Sequence, residues 1–338
     1  MEMKEAVRTV VAGHGLSAAE AHDAFGHIMD GRATDAQIAA FMVGLRMKGE
    51  TVDEITGAAR AMREHATPVT PASIERLVDT CGTGGDESGT FNISTAAALV
   101  AAGAGARVAK HGNRAVSSGS GSADVLEALG VRITVGPEVM KRCIDELGLC
   151  FLFAQTLHKA MKYAAGPRKE IGVRTLFNIL GPLTNPASAP AQVLGVYAPQ
   201  LTEMIAQVLR NLGSRKAFVV HGEDRLDEVT LSAPTKVTEL SGGAIRTYTI
   251  KPGDLGLDAA EREAMRGGTP QENAKIIEDL LRGAKGPRRD IVLANAAFAI
   301  TAAELAPTPR DAVALAAESI DTGAALAKLE GLRRLTAA

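Results

Sequence analysis

From about residue 72 onward, short β-rich segments alternate with helical stretches, and that alternation leaves few architectures open to the chain. Candidate strands are Leu77–Thr80, Arg107–Ala109, Val131–Val135, Val193–Tyr197 and Ala217–His221. Helical stretches lie between them at 95–104, 122–129, 137–147 and 199–212. Alternation of this kind argues for an α/β domain with a mainly parallel sheet covered by helices. Lys236–Glu239 and Ala244–Thr249, joined at Gly242-Gly243, read as an antiparallel excursion. Thr269-Pro270-Gln271-Glu272 caps a further helix with proline at its first position. The alanine-rich 290–304 segment reads as a buried helix.

The first seventy residues read as helices only. Ser17-x-x-Glu20, Thr34-x-x-Gln37 and Thr51-x-x-Glu54 are capping-box signatures. Each precedes an apolar rhythm of three and four, as in Ile38, Phe41, Met42 and Leu45, and Gly31 and Gly49 are the expected stops. Pro68 and Pro71 mark a boundary. The division is therefore a small helical domain over 1–72, joined by part of 160–190, and an α/β catalytic domain over 73–338. Residues 155–190 break the α/β rhythm with Lys159, Lys162, Gly166-Pro167-Arg168-Lys169 and a proline-punctuated run to Pro186. Such a stretch would cross back to the helical domain and line a cleft between the two, a usual place for ligands.

Composition excludes several classes. A net charge of −2, 3% aromatic residues and no tryptophan give neither the basic footprint nor the stacking platforms of a nucleic-acid binder. Cys81, Cys143 and Cys150 have no C-x-x-C spacing, so neither a disulfide framework nor a zinc site is expected; they read as buried thiols in a reducing compartment. The N-terminus is charged, without an apolar signal region, and no run approaches about 18 apolar residues. The expectation is a soluble cytoplasmic protein with no membrane partner.

Chemistry concentrates in four places. Gly82-Thr83-Gly84-Gly85-Asp86 leaves the first candidate strand, and Asn92-Ile93-Ser94-Thr95 opens an alanine-rich helix soon after. Glycines permit close backbone approach, and helix N-termini offer unpaired N–H groups, so a diphosphate is the natural guest. The turn is neither a Walker loop nor a G-x-G-x-x-G fingerprint. Lys110-His111-Gly112-Asn113-Arg114, followed by Ser117–Ser122, forms a second cradle suited to a phosphate monoester. Both loops would lie at the carboxyl ends of strands, on one rim. Asp227-Glu228, with Glu223 and Asp224 nearby, would repel a polyphosphate unless a divalent cation such as Mg²⁺ intervenes. Arg168 is a candidate carboxylate clamp. His111, His158 and His221 lack metal-ligand spacing, and no Ser/His/Asp nucleophile arrangement is evident. Together these describe a donor with phosphate at one end and diphosphate at the other, which 5-phosphoribosyl 1-diphosphate fits, and an acidic second substrate.

The same stretches, together with Gly121-Ser122-Ala123-Asp124, Arg174-Thr-x-Phe-Asn-x-Leu-Gly-Pro-Leu-Thr-Asn-Pro186 and Gly222-Glu-Asp-x-Leu-Asp-Glu228, resemble the anthranilate phosphoribosyltransferases through nearly the whole chain. The resemblance implies the nucleoside-phosphorylase-type fold, a homodimer formed through the helical domain, and transfer of phosphoribose to anthranilate in tryptophan biosynthesis. It implies that Gly82, Gly85, Asp86, Thr90, Asn92, Ile93, Ser94 and Thr95 hold the diphosphate and ribose. Lys110, His111, Gly112, Asn113, Arg114, Ala115, Val116, Ser117, Ser118 and Ser122 would complete the phosphoribosyl site. Two Mg²⁺ ions are implied, one on Ser94 and the other on Asp227 with Glu228. Gly82, Asn113 and Arg168 would contact anthranilate, and His158 would flank its path of entry. Three departures from the family pattern stand out: Gly119 in place of a common Lys or Arg, Lys159 after His158 in place of Pro, and Gly166-Pro167 before Arg168. A pyrimidine nucleoside phosphorylase would need no acidic metal patch and no Arg168. A non-catalytic nucleic-acid-binding relative would carry a basic surface and lack the acidic pair.

Overall fold

The computed structural model describes residues 1–85, 88–115 and 119–337. Helices α1 (Met3–Val11), α2 (Ala18–Met29), α3 (Asp35–Lys48) and α4 (Val52–Glu64) come first. The three capping boxes open α2, α3 and α4, each side-chain hydroxyl accepting from the third helical N–H while the Glu or Gln accepts from the cap N–H. Each such cap contributes about 1 kcal/mol. Glu54 does more than cap: fully buried, it also accepts from Leu16 N at 3.0 Å and from the Lys48 ammonium at 2.9 Å. That fixes the loop before α2 onto α4.

Seven strands follow: β1 (Leu77–Gly82), β2 (Arg107–Gly112), β3 (Leu149–Phe153), β4 (Ala191–Gly195), β5 (Lys216–Gly222), β6 (Thr235–Ser241) and β7 (Ala244–Ile250). They form one sheet in the order β3-β2-β1-β4-β5-β6-β7, parallel from β3 to β5 and antiparallel beyond. The remaining helices are α5 (Ile93–Gly103), α6 (Ser122–Ala128), α7 (Pro137–Arg142), α8 (Ala154–Leu157), α9 (Lys162–Ile171), α10 (Phe177–Leu180), α11 (Leu201–Asn211), α12 (Pro270–Leu281), α13 (Pro287–Ala302), α14 (Pro309–Asp321) and α15 (Ala324–Ala337). Winding proceeds from β1 to β3 on one side and through β4 and β5 on the other. The direction therefore reverses between β1 and β4, where the strand ends part into a crevice.

Strand alternation assigns side chains to two cores. Val193 and Val220 point into the cluster formed with α5, α13 and α15; Leu194 and Val219 point into the one shared by α1–α4, α9, α10 and α11. Phe25 stands at the centre of the second, 5.7 Å from the Phe41 ring and 5.5 Å from Phe177. The 155–190 stretch thus does cross back, bringing Ala164, Leu176 and Phe177 into the helical unit's core.

Two expectations fail. Val131–Val135 is not a strand: its burial alternates, but it pairs with no neighbour, and Arg132 N bonds Thr336 Oγ1 of α15. The third parallel strand is Leu149–Phe153 instead, apolar throughout and buried at every position. A strand covered on both faces shows no period of two. The 137–147 stretch is likewise not one regular helix; α7 passes into a wider π-type turn over Cys143–Leu147, ended by Gly148 at φ +77°. Among the described residues no helix is long and apolar enough to cross a membrane.

Candidate active site

β1 and β4 end side by side at Gly82 and Gly195, and a Cβ on either glycine would run into Asp227. Thr83 seals the crevice, donating its N–H to Gly195 O at 2.9 Å and accepting from Tyr197 N at 3.1 Å. Gly84 and Gly85 then take φ of +65° and +72°, the left-handed region that suits glycine. Gly84 N donates to Asp227 Oδ2 at 2.8 Å, and Ser94 N, in the first turn of α5, donates to Glu228 Oε1 at 3.1 Å. The acidic pair is therefore anchored to the glycine turn on one side and to the start of a helix on the other.

The second cradle grows from β2. Lys110 is buried, and its ammonium donates to Thr80 O and to Ser94 Oγ, the latter at 3.2 Å. Burial pulls its pKa below the usual lysine range, against the opposing pull of Asp79. Asp79 lies fully buried beneath; Oδ1 accepts from His111 N at 3.0 Å, Oδ2 has no hydrogen-bond partner among the described residues, and burial pushes the carboxyl up to about 6. Beyond the strand, Ser122 Oγ donates to Asn113 O at 3.2 Å, and Asp124 accepts from Ala115 N and Gly121 N. Arg114 is held by Asp124 at 2.9 Å and Glu127 at 2.6 Å, so its guanidinium is already neutralised within the loop.

The α8–α10 segment forms the facing wall. His158 packs against His111 with ring centroids 5.0 Å apart and the rings tilted by 51°, and His111 Nδ1 lies 3.0 Å from Gly181 O. Burial depresses His111 to about 3 and His158 to about 4, so both are neutral at neutral pH. The Arg168 guanidinium sits 5.1 Å from the Phe177 ring, and no carboxylate among the described residues pairs with it. Both walls enclose one cavity of about 900 Å³, roomy enough for two small substrates.

A glycosyl transferase family model for the α/β domain matches residues 74–326, and one for the helical bundle domain matches 4–66. The chain is 60% identical to the anthranilate phosphoribosyltransferase of Moorella thermoacetica, over 98% of this chain and 97% of the relative. It is 57% identical to that of Symbiobacterium thermophilum, over 99% and 98%. The chain belongs to the anthranilate phosphoribosyltransferase family. Its fold matches the crystal structure of the Thermus thermophilus enzyme with a TM-score of 0.94 and 44% identity, covering 98% and 99% of the two chains. It also matches the Saccharomyces cerevisiae enzyme in complex with PRPP and Mg, with a TM-score of 0.90 and 28% identity over 99% and 98%.

Every described residue assigned above to the donor, anthranilate or metal site lines this cavity: Gly82, Gly85, Thr90, Asn92–Thr95, Lys110–Ala115, Ser122, His158, Arg168, Asp227 and Glu228; His221, Glu223 and Asp224 do not. Asp86, Val116, Ser117 and Ser118 lie outside the described residues. Of the departures, Gly119 lines the cavity with room for a side chain, its nearest neighbour being Gly268 O at 3.5 Å from a built Cβ. Lys159 is exposed and does not line it, and Pro167 sits buried inside α9, one residue before Arg168.

Sequence reasoning gives no site role to two parts of the wall, although Arg174 opens one of the motifs that carry the resemblance and Thr269-Pro270 reads as a helix cap. Arg174 packs 4.7 Å from the Tyr197 ring and donates to Gly85 O, spanning the glycine turn. The stretch Arg266–Pro270 closes the rim, with Gly267 N on Gly89 O at 2.9 Å and Phe91 N on Met265 O at 3.1 Å. Gly267-Gly268 before the Thr269 cap was a readable turn, but nothing local ties it to a segment so distant in sequence.

Proposed function

We propose that the chain transfers the phosphoribosyl group of 5-phosphoribosyl 1-diphosphate to the amine of anthranilate, giving N-(5-phosphoribosyl)anthranilate and diphosphate. The observation that carries the reading is the joining of two anion cradles and a carboxylate pair on one rim, opposite an arginine that pairs with no carboxylate among the described residues. The glycine turn and the start of α5 would take the diphosphate; Lys110 and the loop beyond it would take the ribose and its phosphate. Arg168 would take the anthranilate carboxylate, with Gly82, Asn113 and His158 shaping its seat. The amine nitrogen forms a bond to ribose C1 as the C1–O bond breaks. Diphosphate leaves with the electron pair, and one amine proton passes to solvent or to the leaving group. An aryl amine is already nucleophilic, and no general base is assigned.

Ser94 Oγ, Asp227 and Glu228 supply oxygen donors only, which suits Mg²⁺. Among the described residues no cluster of three or more His, Cys, Asp or Glu could hold a metal. Mg²⁺ commonly keeps several waters and takes substrate phosphate oxygens, which would complete the shell of an ion here. Bound, Mg²⁺ would neutralise charge on the departing diphosphate; we assign two ions, one on Ser94 and one on the acidic pair.

We divide the chain into a helical domain, 1–72 with part of 160–190, and a catalytic domain, 73–338. The proposed homodimer would use the helical domain, where Val11 and Met47 are 68% and 83% exposed. We place the protein in the cytoplasm, where its three buried free cysteines would stay reduced. The test is to mix protein, Mg²⁺, phosphoribosyl diphosphate and anthranilate and follow the loss of anthranilate. Turnover with another acceptor but none with anthranilate would sink the assignment.

A further inference from the structure

Asn92 stands at the N-cap position of α5, a place where asparagine ordinarily caps, yet its side chain makes no cap hydrogen bond. It turns instead toward the second cradle: Nδ2 donates to Ser120 O at 3.0 Å, and Oδ1 accepts from Ser120 Oγ at 3.2 Å. Oδ1 accepts a further hydrogen bond at 3.0 Å from Asn273 Nδ2. Asn273 is 1% exposed on α12 and does not line the cavity. Its own Oδ1 accepts from Gly268 N at 2.8 Å. The acceptor of Asn92 is thus committed to a bolt between the start of α5 and the loop leading into α6, and Asn273 holds the bolt from behind.

We propose that Asn273 is a positioning residue that, through Asn92, fixes the distance between the two cradles. This rests on the two-ended donor site described above. A donor of fixed length gains from both cradles at once only while their separation is kept; a fragment that fills one cradle does not sense the separation. Loss of the bolt should therefore weaken the whole donor and spare its pieces.

The experiment measures kinetics of the full-length protein and its binding of three probes in Mg²⁺: phosphoribosyl diphosphate, inorganic diphosphate alone and ribose 5-phosphate alone. Asn273→Ala is expected to raise the KM for phosphoribosyl diphosphate about 10-fold, the usual scale for a lost buried hydrogen bond. The anthranilate KM and the affinities of both fragments should stay at wild-type values. Asn92→Ala removes a cavity-lining residue as well as the bolt, so it should lose at least as much donor affinity, and adding Asn273→Ala to it should lower donor affinity no further. Asn273→Asp keeps the acceptor for Gly268 N but sets a carboxylate oxygen against Asn92 Oδ1, so it should lose donor affinity without loosening the 266–270 turn, and it carries the test if the alanine variant does not fold. A fall in fragment affinity parallel to that of the donor would mean local disruption and overturn the proposal, as would an unchanged donor KM in the aspartate variant. If wild-type protein binds neither fragment but turns over the donor, the two-ended reading itself fails, and this inference with it.

Discussion

Arg168, the proposed carboxylate clamp, lines the cavity with its guanidinium over an aromatic ring. Its guanidinium is half-buried over Phe177, burial lowers its pKa, and no carboxylate among the described residues answers it. A carboxylate arriving from solvent would be its partner. Arg168→Ala should raise the anthranilate KM roughly 10- to 100-fold, the range for charge-assisted hydrogen bonds, with kcat much less affected. Arg168→Lys should recover only part, because an ammonium cannot make the two-pronged contact. An unchanged KM in steady-state kinetics would remove the clamp. The acidic pair makes a separate claim: Asp227→Asn with Glu228→Gln should move the Mg²⁺ activation curve to higher concentration, and a superimposable curve would reject the metal assignment. These residues were legible because charge and glycine are conspicuous in sequence. Asn273 was not, since a buried amide looks like any helical asparagine until Asn92 is seen beside it.

At the scale of elements, α13 is buried along nearly its whole length, and its one buried cation needs an answer from elsewhere. Arg289, 5% exposed, meets Asp321 at the end of α14 through two contacts of 2.8 Å, with Lys285 at 2.9 Å on the same carboxylate. Arg289 and then Lys285 pull Asp321 from 3.8 down to about 2. A depressed carboxylate adds stability above its unfolded pKa and loses it as pH falls through the folded one. Asp321→Asn should therefore lower Tm at pH 7, and the gap to wild type should close between about pH 4 and pH 2. Melting curves at several pH values decide it; a gap independent of pH would mean that shape, not charge, is lost. Elements were readable where a local rule applied: the capping boxes placed α2–α4, and Gly242-Gly243 placed the β6–β7 hairpin, both at positive φ. Reading failed at β3, where burial on both faces erased the alternation that Val131–Val135 displayed without being a strand.

The whole molecule closes its cleft on a buried junction of titratable groups. His111 from β2 and His158 from the crossing segment lie ring to ring, with Asp79 beneath, where the helical unit, the sheet and the 155–190 stretch meet. Burial gives these groups opposite linkage. The histidines titrate near 3 and 4 when folded against 6.5 when unfolded, so the unfolded chain takes up two protons that the folded one refuses as pH falls below 6.5. Asp79 titrates near 6 when folded against 3.8, so the folded chain takes up one proton early. Between about pH 6 and pH 4 the unfolded state thus binds a net one proton more, and stability should fall by about 1.4 kcal/mol per pH unit on acidification from this junction. His158→Gln removes one refused proton and should flatten that dependence. Asp79→Asn removes the offset and should steepen the fall to about 2.7 kcal/mol per pH unit. Denaturant titrations at half-unit steps across this window measure all three slopes; equal slopes would show that the junction does not set the acid limit.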